Sequence, residues 1–515
     1  MSFDELTSTF IKDPQRNMGS VAVILLVSAL YLCTIRPGQP WGDDFAMYIH
    51  EAKNIIEGTP FLITGYIFNP SQPEVGPRLY PPVFPVLLVP GYAIGGLSDF
   101  TPMKIEVIGL FIGLLVLLWR GLGQELPGPL CTAMLAIIGF NPLFWNFKEI
   151  IVSDIPFTFL LYVTFILADK LVSDAENTSG GRWQIAAVAA LVYFCYGTRT
   201  IGGVLVPALA ILAAIYWKRG GQRLGWAVAI ALVPCFIQYI LLARYLNYED
   251  QLRLSPATEI RVILDNVSTY SWHLATFWAN PYAKWLRDLL FVAATLLASL
   301  AYFRRLRDRP RIYEIFLPLY LGVVILYPYS GGFRYLIPVA PLYIFYALEG
   351  VDALSHLLKH RARIAVLVVL AALTAGSYGA EFGRAQFGAF HESADSKESA
   401  ELFSFIRSYT APNDVFVFQK PRTLALFTGR NASVYPAART RADFCRYFRV
   451  IGATYMIKAP ALDDKPLDDL IDRDFSKEGA SFSNAAFRVM HIGSNALETC
   501  TEDTWMGSAP SVPSP

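Results

Sequence analysis

The stretch VAVILLVSALYLCTIRPGQPWGDDFAMYIHEAKNIIEG, residues 21–58, joins an apolar run to an amphipathic one through two adjacent aspartates. Val21–Ile35 carries no charge and is long enough to cross most of a bilayer. Asp43 and Asp44 follow where the chain leaves it. The run 48–57 has helical periodicity, with Tyr48, Ala52, Ile55 and Ile56 on one face, which sets Asp44 near a helix N-terminus. A carboxylate there gains about 0.3–1 kcal/mol from the helix dipole. Taken alone, Asp44 therefore reads as a helix cap in a solvated loop. The rest of the chain changes that weighing.

The 515 residues are 54% hydrophobic and only 17% charged, with a mean hydropathy of +0.39. Soluble domains carry about 25% charged residues, so the composition predicts a polytopic membrane protein. The net charge of +1 gives no electrostatic ground for a nucleic-acid partner. The first 17 residues mix acids and bases, and no small-residue cleavage site follows the first apolar run. That run is expected to stay as a transmembrane helix. Cys33, Cys131, Cys195 and Cys235 lie in apolar segments without metal-site spacing, whereas Cys445 and Cys500 fall in a polar tail and can pair only in an oxidising compartment.

Apolar runs of transmembrane length number about eleven. They cover residues 18–35, 103–120, 128–146, 153–169, 183–198, 200–217, 224–243, 287–303, 312–329, 334–351 and 363–379. A further run, Pro81–Gly96, is short and carries prolines at 81, 82, 85 and 90. If it does not span and the N-terminus is cytoplasmic, the basic clusters 218–223, 304–311 and 359–363 all face the cytoplasm. If it spans, the arginine clusters face outward, against the positive-inside rule. Pro81–Gly96 is therefore read as an interfacial helix. The loop 36–102, the turn at Asp154, the loop 244–286 and the tail from about 380 then share the outer side.

The tail alternates helical and strand patterns: helix at 396–409, strand at 414–419, helices at 422–430 and 441–452, strands at 453–458 and 485–492. The expected organisation is a mainly α, polytopic helical bundle over 1–379, a small outer α/β domain over 380–495 and a disordered tail over 496–515. No glycine-rich phosphate loop opens a helix of the tail, which is given a lid or acceptor-binding role and no catalytic one.

Asp44 followed by Tyr48, Ala52 and Gly58, just after the first apolar run, resembles the first outer loop of the GT-C superfamily of membrane glycosyltransferases. The likeness is to the branch of protein O-mannosyltransferases and aminoarabinose–lipid A transferases. Relatives usually place Glu directly after the catalytic carboxylate; here Phe45 stands there and Asp43 precedes. RLYPPVFPVLLVPGYAIGG (78–96) resembles the family's Pro-Pro helix, with Tyr80 before the prolines and Arg78 two residues earlier. KEIIVSDIPFTFLLYV (148–163) resembles its second outer loop, with Asp154 as the match, and GGFRYLIPVAPLY (331–343) its Arg-Tyr-x-x-Pro stretch, with Arg334 and Tyr335. The resemblance implies an enzyme of the inner membrane of a bacterium that takes a sugar from a polyprenyl-phosphate carrier. The acceptor, whether a lipid, a glycan or a protein, lies on the outer face.

That chemistry needs a base for the acceptor and fixed cations for the departing phosphate. The candidate catalytic residues are Asp44, as base, and Asp154 in a supporting role. The candidate substrate-binding residues are Asp43, Tyr48, Arg78, Tyr80, Arg199, Arg334 and Tyr335. Each has an ordinary structural alternative: helix capping for Asp154 ahead of Pro156, snorkelling for Arg199 and Arg334 at helix ends. His273 fits an interfacial aromatic belt and His50 an ordinary helix position. No cofactor is assigned; a divalent cation on Asp43, Asp44, Asp154 and a histidine is conceivable, but no ligand pair has fixed spacing. The competing readings are a glycolipid transporter or flippase, and a non-catalytic membrane subunit.

Overall fold

The computed structural model describes residues 14–173, 181–246, 256–278, 280–356, 360–390, 393–438, 440–475 and 479–492. Cys500 and the expected disordered tail lie outside them, so the pairing of Cys445 and Cys500 is not among the described contacts. The chain forms two compact units. The first comprises Met1–Pro40, Tyr48–Leu62 and Leu79–His391; the second comprises Trp41–Met47, Ile63–Arg78 and Glu392–Pro515.

The first unit is helical. Each apolar run of the sequence falls on a helix or a pair of them, from Pro14–Cys33 through Thr101–Arg120, Asp154–Ser173, Gly221–Leu246 and Lys284–Asp308 to His360–Phe382. Among the described residues, four helical segments are long and apolar enough to cross a membrane by length and composition. The helix Gly221–Leu246 exposes Leu232, Val233, Phe236, Ile237, Ile240 and Leu241. So continuous an apolar face has no place in water and suits hydrocarbon. Where helices must approach, small residues allow it: a Cβ on Gly350 would sit 2.5 Å from the Leu297 carbonyl oxygen. The Pro81–Gly96 run forms the helix Val83–Gly95, 13 residues long. At 1.5 Å per residue it spans about 20 Å, short of a ~30 Å hydrocarbon core. The expected loop 244–286 instead contains the helix Pro256–Thr276, whose Ile260, Leu264 and Trp272 are exposed. Its apolar residues are interleaved with polar ones, so no continuous apolar run announces it.

Buried charges tie this unit internally. Lys104, fully buried, donates from Nζ to the carbonyls of Arg36 (2.8 Å) and Gly38 (2.6 Å) and to Glu149 (3.0 Å). Lys148 pairs with the same carboxylate and donates to the Thr34 carbonyl. The turn after the first helix is thereby pinned, which a solvated loop would not be. At other helix ends Arg305 pairs with Glu125 and Glu349, and Arg311 with Glu125.

The second unit is an α/β sandwich. Strands β1 (Val415–Val417), β2 (Asn431–Ser433), β3 (Tyr455–Lys458), β4 (Ala480–Ser483) and β5 (Arg488–His491) form one sheet in the order β2-β1-β3-β5-β4. β1 lies parallel to both β2 and β3, while β5 runs antiparallel to β3 and β4. Because side chains alternate across a strand, Phe416, Ile457 and Val489 meet Leu402, Phe403 and Leu424 on one face. Val417, Met456 and Met490 meet Phe444, Phe448, Leu470 and Ile471 on the other.

The helix Lys465–Asp474 and the strands β2 and β4 have no counterpart in the sequence reading. The helix is hidden by its many charges, and the strands are short and polar. The other tail elements fall where the patterns put them.

The segment 63–78 belongs to this unit through its backbone. Tyr66 bridges Ala432 in parallel; Ile67 N–H donates to the Ala432 carbonyl (2.8 Å) and Ala432 N–H to that of Gly65 (2.9 Å). Asn69 Nδ2 donates to the carbonyls of Val434 and Tyr435. Gly65 has φ +67°, and a Cβ there would lie 3.0 Å from the Arg430 carbonyl oxygen, so the close approach calls for glycine. Trp41 packs edge-on against Phe403, Phe418 and Phe487, which anchors 41–47 in the same unit.

Candidate functional site

The sequence-predicted residues gather in two clusters, one in each unit. In the first, Asp154 opens the helix Asp154–Ser173 and is fully buried. Arg199 follows the helix Gly181–Thr198, and Arg334 lies on the short 3-10 turn Gly332–Leu336. One Asp154 oxygen pairs closely with Arg199 Nη1. The other accepts from Arg334 Nε at 3.2 Å and Nη2 at 3.1 Å. Among the described residues the carboxylate accepts no backbone N–H, so it is not a helix cap. It is the shared counter-ion of two guanidiniums, and the trio carries one net positive charge. The Asp154 side chain has no exposure, while Arg199 keeps 16% and Arg334 32%, so the cations face outward from the anion that holds them.

Aromatic residues frame this trio. Arg199 lies 5.6 Å from the Tyr335 ring centroid, and the Tyr320 hydroxyl donates to the Tyr335 carbonyl at 3.0 Å. Tyr48 and Ser153, next to Asp154, share a hydroxyl hydrogen bond of 2.8 Å. Tyr48 also stacks on Tyr80 with centroids 4.4 Å apart, and Tyr80 N–H donates to Glu51. Tyr48, Tyr80, Asp154, Arg199, Arg334 and Tyr335 are therefore connected, although they come from opposite ends of the helical unit's sequence. An apolar cavity of about 720 Å³ elsewhere in this unit is lined by residues including Leu30, Ile137, Trp278, Leu297 and Val368 and by none of those six.

The second cluster holds Asp43 and Asp44. Asp43 Oδ1 accepts the backbone N–H of Arg422 (3.0 Å) and of Thr423 (3.3 Å), at the start of the helix Pro421–Thr428. Thr423 Oγ1 donates back to the Gly42 carbonyl. Asp43 thus caps a helix remote in sequence. Burial pushes its carboxyl up to about 6, against the lowering influence of Arg422 and Lys420. Asp44 keeps a quarter of its side chain exposed and accepts from Arg422 Nη1 at 3.2 Å. Arg422 itself is buried. It donates from Nη2 to the Pro77 carbonyl at 2.7 Å and lies 4.7 Å from the Tyr66 ring centroid. Tyr66 is pushed up to about 12, chiefly by burial. Arg78 is half-buried and makes no ion pair among the described residues. Gly58, with φ +68°, follows the end of the helix Asp44–Glu57 and serves as its left-handed C-terminal glycine.

Sequence reasoning missed Arg422. Its stretch, KPRTLALFTGR, looks like a surface helix start, and nothing local marks the arginine as buried. Among the described residues no three His, Cys, Asp or Glu side chains gather as a metal site. Asp43, Asp44 and Asp154 are each engaged by an arginine. His50, on the helix Asp44–Glu57, is pushed down to about 4 by burial, and His273 stacks edge-on with Trp272.

The chain, a mainly helical unit joined to a small α/β unit, shares its fold with several solved structures. The solved structures similar to it include an oligosaccharyltransferase of Archaeoglobus fulgidus tethered with an acceptor peptide (TM-score 0.55, 11% identity, covering 88% of this chain and 70% of that one). ArnT from Cupriavidus metallidurans bound to undecaprenyl phosphate is another (0.53, 14%, 93% and 98%), and the arabinofuranosyltransferase AftD from Mycobacteria a third (0.52, 12%, 92% and 41%). No protein-family model and no curated protein matches the sequence, so the likeness rests on the fold.

Proposed function

We propose that this chain is an integral-membrane, inverting glycosyltransferase that moves a sugar from a polyprenyl-phosphate carrier to an acceptor hydroxyl or phosphate on the outer face of a bacterial inner membrane. The reading places the N-terminus in the cytoplasm and the second unit outside. The observation that carries it is the Asp154–Arg199–Arg334 trio: two guanidiniums held by one buried carboxylate, with a net positive charge left for a phosphate. Guanidinium forks match phosphate oxygens in pairs.

In this reading a hydroxyl acceptor attacks the anomeric carbon through its oxygen and gives its proton to Asp44, whereas a phosphate acceptor attacks as the oxyanion and gives up no proton. The bond from that carbon to the phosphate oxygen breaks, and polyprenyl phosphate departs with the electron pair. Arg199 and Arg334 stabilise the developing anion. Tyr48, Tyr80 and Tyr335 supply aromatic surface for the sugar or carrier, Asp43 orients the loop, and Arg78 is a further cation. General-base removal typically costs about 10²–10⁴-fold in rate. Asp44→Asn should lower turnover by about 10²-fold or more while carrier binding holds. Arg334→Gln should instead weaken binding of the polyprenyl-phosphate sugar. Near-normal turnover in purified Asp44→Asn would falsify the base assignment. Unchanged carrier binding in Arg334→Gln would remove the phosphate seat.

A further inference from the structure

In the second unit the start of the helix Pro421–Thr428 meets the aspartate pair: Thr423 bonds Asp43 and the Gly42 carbonyl, and Arg422 alone of the two reaches Asp44. Arg422 sends Nη1 to Asp44, Nη2 to the Pro77 carbonyl and its backbone N–H to Asp43. Its guanidinium faces the Tyr66 ring, and its side chain is 1% exposed. A buried arginine carries a large desolvation cost, so this geometry must be held by several partners at once. Asp44 is the more exposed of the two carboxylates, at 25% against 11% for Asp43. Asp43 caps the helix that carries Arg422, and Asp44 has one oxygen bonded by the guanidinium and a quarter of its side chain exposed.

We propose that Arg422 is the positioning residue for Asp44, so that the sheet domain belongs to the catalytic apparatus and is more than a lid. The inference rests on the reading of Asp44 as the base. Arg422 fixes the carboxylate's direction and keeps it ionised, because a guanidinium within hydrogen-bond reach favours the charged form. Among the described residues, Lys420 and Asp44 act with Arg422 on the Asp43 carboxyl, and Arg78 and Asp43 act with Arg422 on the Tyr66 hydroxyl. None of them donates two side-chain hydrogen bonds in the way Arg422 does toward Asp44 and Pro77.

The test is the pH dependence of kcat/KM in the full-length purified protein, with Arg422→Gln, Arg422→Lys and Asp44→Asn compared. An opposite charge lowers an aspartate's pKa by about 1–3 units. Losing it should move the acid limb of the Arg422→Gln profile upward by about 1–3 units. One unit below the shifted limb, kcat/KM should stand about tenfold under its own plateau. Arg422→Lys keeps the charge and should shift the limb less. If Arg422→Gln does not fold, Asp43→Asn/Arg422→Gln, which also replaces the buried carboxyl facing the arginine, carries the same test. An acid limb that stays in place, with the plateau alone reduced, overturns the proposal and leaves Arg422 a scaffold residue. That result is distinct from failure of the base reading, which is turnover surviving in Asp44→Asn.

Discussion

Replacing Asp154 by asparagine separates an ion-pair role from a capping role by magnitude. Asparagine caps helices about as well as aspartate, so a cap would lose only a few tenths of a kcal/mol. The structure instead has a fully buried carboxylate between Arg199 and Arg334. Removing one partner of a buried pair costs about 3–5 kcal/mol, because the remaining charge is uncompensated. Arg334 is a third exposed and Arg199 less so, and water will screen part of the loss. The expectation is the lower end, about 3 kcal/mol, or roughly a hundredfold in the local opening equilibrium. A two-unit membrane protein need not unfold in two states. The assay is therefore local: hydrogen exchange at amides 154–160 and 199–204, in detergent. Adding polyprenyl phosphate should restore more protection to Asp154→Asn than it adds to the native protein, since an anion can replace the missing charge. The double variant Asp154→Asn/Arg199→Gln should recover part of the loss. Native protection in Asp154→Asn, with no extra response to the lipid phosphate, would refute the shared-counter-ion argument.

Three further expectations concern the second unit and the topology. The folded Asp43 and Asp463 carboxyls lie near about 6 and about 7, above the ordinary 3.8. The folded state therefore binds more protons than the unfolded chain in that interval, and stability falls as pH rises through it. Hydrogen exchange in β1 and β3 should become faster than intrinsic rates predict as pH rises from about 4 to about 7, and Asp43→Asn should flatten the lower part; protection that grows with pH contradicts the assignment. Gly65→Ala places a side chain at φ +67°, and 3.0 Å from a carbonyl oxygen. It should cost about 1–2 kcal/mol and loosen the Tyr66–Ala432 bridge, whereas unaltered exchange at Ile67 would show the backbone adapts. Single cysteines introduced near 310 and 430 should label from opposite sides of the membrane; labelling from one side removes the proposed topology.

Hydrophobic composition and run length determined the helical membrane class, because the bilayer solvates only chains that satisfy their own backbone. Local alternation of helix and strand patterns likewise announced the small α/β tail. The pairing of Asp154 with Arg199 and Arg334 was not legible, although each residue was picked out. Nothing in a linear pattern says which charges at separate helix ends meet. The membership of 41–47 and 63–78 in the tail's unit was hidden for the same reason: it depends on backbone hydrogen bonds to Ala432 and on Trp41 packing, between segments far apart in the chain. Arg422 is the sharpest case. Its sequence neighbourhood gives an ordinary amphipathic helix, and only tertiary burial beside Asp43, Asp44 and Tyr66 makes it a central charge, since desolvation is a property of the folded surroundings and not of the residue.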